Sequence, residues 1–309
     1  MSRTSATSAA PLVSAQIIAA FGRNFLVETA NGTDLSCVMR GKKKGVACGD
    51  RVNVRVAAAG QGVIEEILPR TSLLYRSDQA RQKLIAANVS QLVIVVAAIP
   101  TFSEELVNRC IAAAEQQQLK VLLVCNKSDL VEPSRVALAT LALYRELGYN
   151  VLQLSAKTDS SPLLSYLHGH LSILIGQSGM GKSTLLNALI PTAERATADI
   201  SLALDSGRHT TTHARLYYLE EDTGLIDSPG MQAFGLRHLN WEELAWGFIE
   251  FRPYLGLCKF SNCRHGREPG CALAQAMREG KINVRRVAFY RKLALSAAGL
   301  GFRESVADS

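Results

Sequence analysis

Gly176-Gln177-Ser178-Gly179-Met180-Gly181-Lys182-Ser183 decides the fold of this chain. The octapeptide fits G-x-x-x-x-G-K-[ST], a spacing that acquires meaning from its flanks. Ser172-Ile173-Leu174-Ile175 before it reads as a short buried strand. Thr184-Leu185-Leu186-Asn187-Ala188-Leu189-Ile190 after it reads as an apolar helix face, which Pro191 ends. Glycines let the backbone approach phosphates closely and aim N–H groups at them. The helix N-terminus adds partial positive charge. In that frame Lys182 reaches the β- and γ-phosphates, the Ser183 hydroxyl holds Mg²⁺, and Thr184 completes the nucleotide-binding set.

A second signature lies upstream. Leu119 to Cys125 is a buried strand, and Asn126-Lys127-Ser128-Asp129 follows at its C-terminal end, the edge where open α/β sheets bind ligands. A carboxylate at Asp129 accepts from guanine N1–H and N2–H₂. Adenine offers neither donor there, and an unpaired buried acceptor is costly. Val151 to Leu154 is the next strand, followed by Ser155-Ala156-Lys157, one strand beyond the base-reading loop. Downstream of the phosphate loop, Thr223 to Ile226 is a strand ending in Asp227-Ser228-Pro229-Gly230, a D-x-x-G element. Asp227 would hold the Mg²⁺ shell through water, and the Gly230 N–H would sense the γ-phosphate. The polar stretch from Thr192 to His213 carries Gly207-Arg208-His209-Thr210-Thr211-Thr212. A loop this long in a compact domain is functional or disordered. One threonine, for which Thr211 is favoured, would coordinate Mg²⁺ in the triphosphate state, as in switches ordered by γ-phosphate and Mg²⁺.

The base-reading loop precedes the phosphate loop. This order resembles the circularly permuted GTPases, which run base-reading motif, Ser-Ala-Lys, phosphate loop, threonine switch, D-x-x-G. The residue after Gly230 is Met231, where many regulatory GTPases carry a Gln that orients the attacking water. A thioether cannot do this. Gln232 is one position off, and His209 is a candidate replacement as a neutral imidazole. Slow unassisted hydrolysis and activation by a partner follow.

The net charge is +7 over 309 residues, unevenly spread. From Arg252 to Lys292 there are ten basic and two acidic side chains, a balance of +8, which leaves the remainder near −1. Such concentration in one module favours a phosphate-backbone partner over a merely solvated face. The same window holds Cys258, Cys263, His265 and Cys271, four zinc-type ligands within fourteen residues. Three thiolates and an imidazole make a closed tetrahedral site, so one structural Zn²⁺ is expected, contributing to local folding. Cys37, Cys48, Cys110 and Cys125 are scattered and read as small core residues. An odd cysteine total of seven argues against a disulfide framework. Leu92 to Ile99 is too short to span a bilayer, and no secretory segment is evident, so a cytoplasmic protein without membrane contact is expected. Val287 to Leu295 suggests a basic amphipathic helix, with Arg285 and Arg286 just ahead as phosphate-contact candidates.

Ala15 to Leu68 alternates with period two. Ala15–Phe21, Phe25–Thr29, Leu35–Met39, Arg51–Val56 and Gly62–Leu68 are five candidate strands, with hairpin signals at Gly22-Arg23-Asn24 and Asn31-Gly32. A five-stranded meander of this size is compatible with an OB-type barrel, a common oligonucleotide binder. Lys42-Lys43-Lys44 is a candidate backbone grip or only a solvated tip.

Barrel, permuted motif order and zinc module together resemble the ribosome small subunit-dependent GTPase A family (RsgA/YjeQ). The resemblance covers nearly the whole chain. It rests most specifically on the motif order, on Gly207 to Thr212, on Asp227 to Gly230, and on the Cys-Cys-His-Cys spacing. It implies a bacterial factor that binds the small ribosomal subunit and its rRNA late in assembly, with other assembly factors as further partners. It also implies GTP/GDP as the nucleotide and hydrolysis stimulated by the subunit, followed by release. The chain is expected to be a multidomain monomer. Its parts are a disordered tail (1–10), an N-terminal all-β OB-type barrel (11–70), a central α/β P-loop GTPase with circularly permuted motif order (71–236), and a C-terminal zinc-binding helical module (237–309). Two other classes stay open: a nucleotide-gated RNA-binding protein with little turnover, and a P-loop ATPase acting on RNA. The short stretch from Gly230 to Trp241 reads as a tether from the second switch to the zinc module.

Overall fold

A computed structural model describes residues 11–41, 45–77, 82–191, 214–228, 236, 239–266 and 268–297. His209, Thr211, Gly230, Met231, Gln232, the lysine triplet 42–44 and most of the tether lie outside these described residues.

Period-two alternation builds the first unit. Strands β1 (Leu12–Phe21), β2 (Asn24–Thr29), β3 (Asp34–Met39), β4 (Arg51–Ala58) and β5 (Gln61–Ile67) direct alternate residues inward. Ile17, Phe25, Val27, Leu35, Cys37, Val52, Val54 and Ile64 form the barrel core. All five expected strands are present, but they do not run as a meander. β3 pairs parallel with β5, and β4 returns to pair antiparallel with β1, so the order β1-β2-β3-β5-β4 closes on itself. An antiparallel hairpin of β6 (Leu73–Ser77) and β7 (Gln82–Ala87) follows.

The nucleotide-type sheet comprises β8 (Gln91–Ala97), β9 (Lys120–Asn126), β10 (Asn150–Gln153), β11 (Leu171–Ile175), β12 (Arg215–Glu220) and β13 (Thr223–Asp227). Its spatial order is β10-β9-β8-β11-β13-β12, all parallel except β12. β12 then meets β1 at Arg215 and Ala19, which makes the barrel and this sheet one continuous sheet. Both faces are covered, as parallel strands require. Leu92, Ile94, Val96, Leu123 and Ile173 face helices α1 (Glu104–Gln116) and α2 (Val131–Glu146). Val93, Val95, Leu122, Val124 and Leu174 face the other side, against α3 (Leu164–Leu167) and α4 (Lys182–Leu189). From β8 the chain moves outward through β9 to β10. From β11 it moves the opposite way, to β13 and β12. The switch point therefore lies between β8 and β11, where ligands of open α/β sheets bind.

The C-terminal module contains α5 (Trp241–Trp246), a 3₁₀ segment (Ile249–Tyr254), α6 (Ala272–Arg278) and α7 (Val284–Ala297). Phe248 stacks on Phe251 at 4.9 Å between ring centroids, and both meet Tyr290 edge-on. Burying each such ring contributes about 1.5–3 kcal/mol. The module packs on α1 in the same core as the sheet face. Arg286 does not face a nucleic acid. It is buried, paired with Glu250 and bonded to Asn108 of α1. Arg285 is exposed but pairs with Glu104. The basic count of this window therefore overstates its free charge. Cys37, Cys48, Cys110 and Cys125 are buried free thiols in the core. Among the described residues no helix is long and apolar enough to cross a membrane.

Candidate functional site

The phosphate loop leaves β11 at the switch point and enters α4 through Gly181, whose φ of 89° lies in the left-handed region. A Cβ at Gly181 would stand 2.4 Å from Asn126 Nδ2, and one at Gly176 would stand 2.2 Å from the Val95 carbonyl oxygen. Neither position admits a side chain, so the loop lies as close to its surroundings as the motif demands. Met180 is buried beneath the loop among Val93, Leu174 and Leu185, and anchors it. Gln177, Ser178 and Gly179 stay at least partly open, as do Lys182, Ser183 and Thr184 at the helix start.

Lys182 Nζ donates to the carbonyls of Gly176 at 2.6 Å and Gln177 at 2.9 Å. Burial lowers its pKa, while the Asp227 carboxylate works the other way. Burial in turn raises the pKa of Asp227, opposed by Lys182. An ammonium and a carboxylate thus face one another electrostatically at the ends of α4 and β13. An ammonium suits an anionic ligand and a carboxylate a cation.

Asn126 joins three motifs. Its Nδ2 donates to the Met180 carbonyl at 2.9 Å, and its Oδ1 accepts from the Ala156 N–H at 2.9 Å. The base-reading, phosphate and Ser-Ala-Lys loops therefore share one buried side chain. Ser155 Oγ donates to Asp129 Oδ1 at 2.6 Å. That bond is the main cause holding the Asp129 carboxyl below its ordinary pKa, with Lys157 and Lys127 adding attraction. Asp129 is exposed and held by Ser155, which leaves its carboxylate accessible to donors of a ligand. Ser128 N–H donates to the Leu154 carbonyl, and Lys127 takes a left-handed φ of 63° and donates through Nζ to the Ile99 carbonyl.

The second site is a cage. Cys258, Cys263 and Cys271 place their sulfurs 3.5, 3.7 and 3.6 Å from His265 Nδ1. A Zn–S bond of about 2.3 Å and a Zn–N bond of about 2.05 Å at the tetrahedral angle separate S and N by about 3.5 Å. The donor set and its spacing fit zinc. His265 adopts a left-handed φ of 59°, a conformation costing on the order of 1–3 kcal/mol in a residue with a side chain. Metal coordination through Nδ1 would offset that cost. The Ala272 N–H donates to Cys258 Sγ at 3.3 Å, while Tyr290 Oη and Arg291 Nε donate to the carbonyls of Arg264 and His265. Helix α7 thereby holds the ligand loop in place.

Sequence reasoning passed over Ser103, Asn108 and Glu250. Ser103 carried a signal, a Ser followed by two Glu ahead of an apolar run. Asn108 and Glu250 carried none, since their partner is distant in sequence.

A phosphate loop at the switch point of a permuted sheet, joined to a guanine-type loop through Asn126, defines a circularly permuted P-loop GTPase. The sequence model of the RsgA GTPase family matches residues 67–237. The "Small ribosomal subunit biogenesis GTPase RsgA" of Nitrosospira multiformis is 63% identical over 294 residues, covering 95% of this chain and 93% of the relative. The protein of the same name from Nitrosomonas europaea is 57% identical over 281 residues, covering 90% of each. The crystal structure of YjeQ from Thermotoga maritima superposes with a TM-score of 0.73 at 29% identity, covering 94% of this chain and all of the other. That of YloQ, described as a circularly permuted GTPase, gives 0.71 at 25% identity, covering 97% of this chain and 100% of the other. The chain belongs to the RsgA GTPase family, whose members hydrolyse GTP. The alternative of an RNA-directed ATPase is set aside by this membership.

Proposed function

We propose that this GTPase acts in biogenesis of the small ribosomal subunit. It binds the subunit through rRNA, hydrolyses GTP to GDP and phosphate when engaged, and then leaves. The observation that carries the reading is the sharing of Asn126 by the base-reading and phosphate loops in a chain 63% identical to a protein of that named role. GTP occupies Gly176 to Thr184, with the base on Asn126 to Asp129 and Ser155 to Lys157. Mg²⁺ is held by Ser183 and, through water, by Asp227. Thr211 and Gly230 complete the triphosphate state, and His209 positions the attacking water. Zinc in the Cys258, Cys263, His265 and Cys271 cage is structural. The protein works as a cytoplasmic monomer, with other assembly factors as further partners. The test is turnover of GTP and ATP, with and without purified small subunits. Slow GTP hydrolysis that the subunits accelerate is expected. Equal use of ATP, or no response to subunits, overturns the reading.

A further inference from the structure

Ser103, Glu104 and Glu105 open helix α1, and they are held from two directions. From one side, the Ser103 N–H donates to Gln177 Oε1 at 2.6 Å. Gln177 is the second residue of the phosphate loop, and its own carbonyl accepts from Lys182 Nζ at 2.9 Å. From the other side, Glu105 pairs with Lys292 at 2.7 Å and Glu104 pairs with Arg285, both on α7 of the zinc module. Ser103 Oγ caps the helix by accepting the Leu106 N–H at 3.2 Å. Three consecutive residues thus touch the phosphate loop and the zinc module with no intervening loop.

We propose that the Gln177 side chain transmits nucleotide occupancy of the phosphate loop to the zinc module through Ser103, Glu104 and Glu105. The proposal rests on the nucleotide reading of the phosphate loop given above. Lys182 has three donors, and the Gly176 and Gln177 carbonyls engage two of them. A phosphate taken up by the loop competes for the same ammonium, which changes the hold on the Gln177 backbone. The Gln177 amide carries that change to the Ser103 N–H, and a capped helix moves as a rigid body. The half-exposed pairs Glu104–Arg285 and Glu105–Lys292 are individually weak. They act here by orientation, because the bond between buried Arg286 and Asn108 fixes α7 on α1 one turn further along. Coupling between the two sites is reciprocal: a partner that grips the zinc module alters nucleotide affinity by the same factor. This route runs through packed side chains and is separate from the covalent tether between the second switch and Trp241.

Hydrogen exchange of the full-length, zinc-loaded protein tests it. GDP at saturation is expected to slow exchange of the amides of α7 about fivefold or more, a coupling of the usual allosteric size. In Ser103→Pro, which has no N–H to donate to Gln177 Oε1, α4 amides remain slowed by GDP but the α7 response disappears. Glu104→Gln combined with Glu105→Gln breaks the link from the other side. It is expected to lose the α7 response while binding GDP, which covers the case of a Ser103 variant that disturbs the start of α1. The measured quantity is the GDP-dependent difference, which a merely structural role would leave intact. An undiminished α7 response in both variants overturns the proposal, as does a wild-type protein that binds GDP without any α7 response. A wild-type protein that fails to bind GDP removes the nucleotide reading first, and this proposal with it.

Discussion

Arg286 and Glu250 meet in the protein interior, with Nε 2.6 Å from Oε1 and the arginine side chain 1% exposed. The guanidinium also lies 4.4 Å from the ring centroid of Phe248 and bonds to Asn108 of α1. A buried pair is weak evidence for stability, but removing one partner strands the other. Arg286→Ala is therefore expected to destabilise the protein by about 3–5 kcal/mol, read as a drop in denaturant midpoint. Arg286→Met together with Glu250→Leu should cost less than Arg286→Ala alone. An Arg286→Ala protein of unchanged stability would show that the pair is not structural.

The cage predicts about one zinc per chain by metal analysis. Cys263→Ser should lose it and unfold the residues around α6 and α7, while GDP still binds to the phosphate loop. A protein prepared with chelator that keeps near-ultraviolet signals from Tyr290 and the Phe248–Phe251 pair would contradict a structural role.

Asp129→Asn should weaken guanine nucleotides and favour xanthine, whose C2 carbonyl needs a donor. Ser155 holds the Asp129 carboxyl below its ordinary pKa, so guanine affinity should persist to more acidic pH than an ordinary Asp would allow. Calorimetry with GDP and xanthosine diphosphate reads both effects. Equal preference in the wild type and the variant would remove Asp129 from base recognition.

Asp227 behaves in the opposite sense. Burial raises its pKa, so as pH falls a proton occupies it earlier than it would an ordinary Asp at about 3.9. In the role proposed for Asp227, the Mg²⁺ shell requires the carboxylate. The Mg²⁺-dependent part of GTP affinity should decline on acidification while the Mg²⁺-independent part remains. Asp227→Asn should show little Mg²⁺ dependence at any pH. A Mg²⁺ effect that is level across mildly acidic pH in the wild type would count against this role.

The sequence made local facts legible. Each of the five barrel strands could be read from period-two alternation, and the phosphate, base-reading and cage motifs from spacing, because all are set by neighbours in the chain. Pairing partners could not be read this way. Nothing near Leu35 or Gly62 says that β3 should pair parallel with β5, and nothing near Ala19 says that it meets Arg215. The fate of Arg286 was hidden for the same reason. Its environment is built by Asn108 and Glu250, 178 and 36 residues away, so a count of charges assigned to solvent a side chain that packing had placed inside.

That correction moves the expected RNA contacts. With Arg286 buried and Arg285 and Lys292 paired to α1, the exposed cations Lys259 and Arg278 are better placed to meet phosphate. Affinity for small subunits should fall steeply with salt, and Lys259→Glu with Arg278→Glu should weaken binding and flatten that slope. A charge-reversed protein with an unchanged salt slope would direct attention to the barrel instead.

The continuity of the sheet through β12 and β1 also bears on solubility. A parallel sheet normally ends in two rows of unpaired N–H and C=O groups, each a template for another chain. Here one flank runs on into a barrel that closes on itself through β4 and β1. The other flank ends at β10, a strand of only four residues. On that flank the open hydrogen-bonding border is a short segment, which gives misassembly there little length on which to begin.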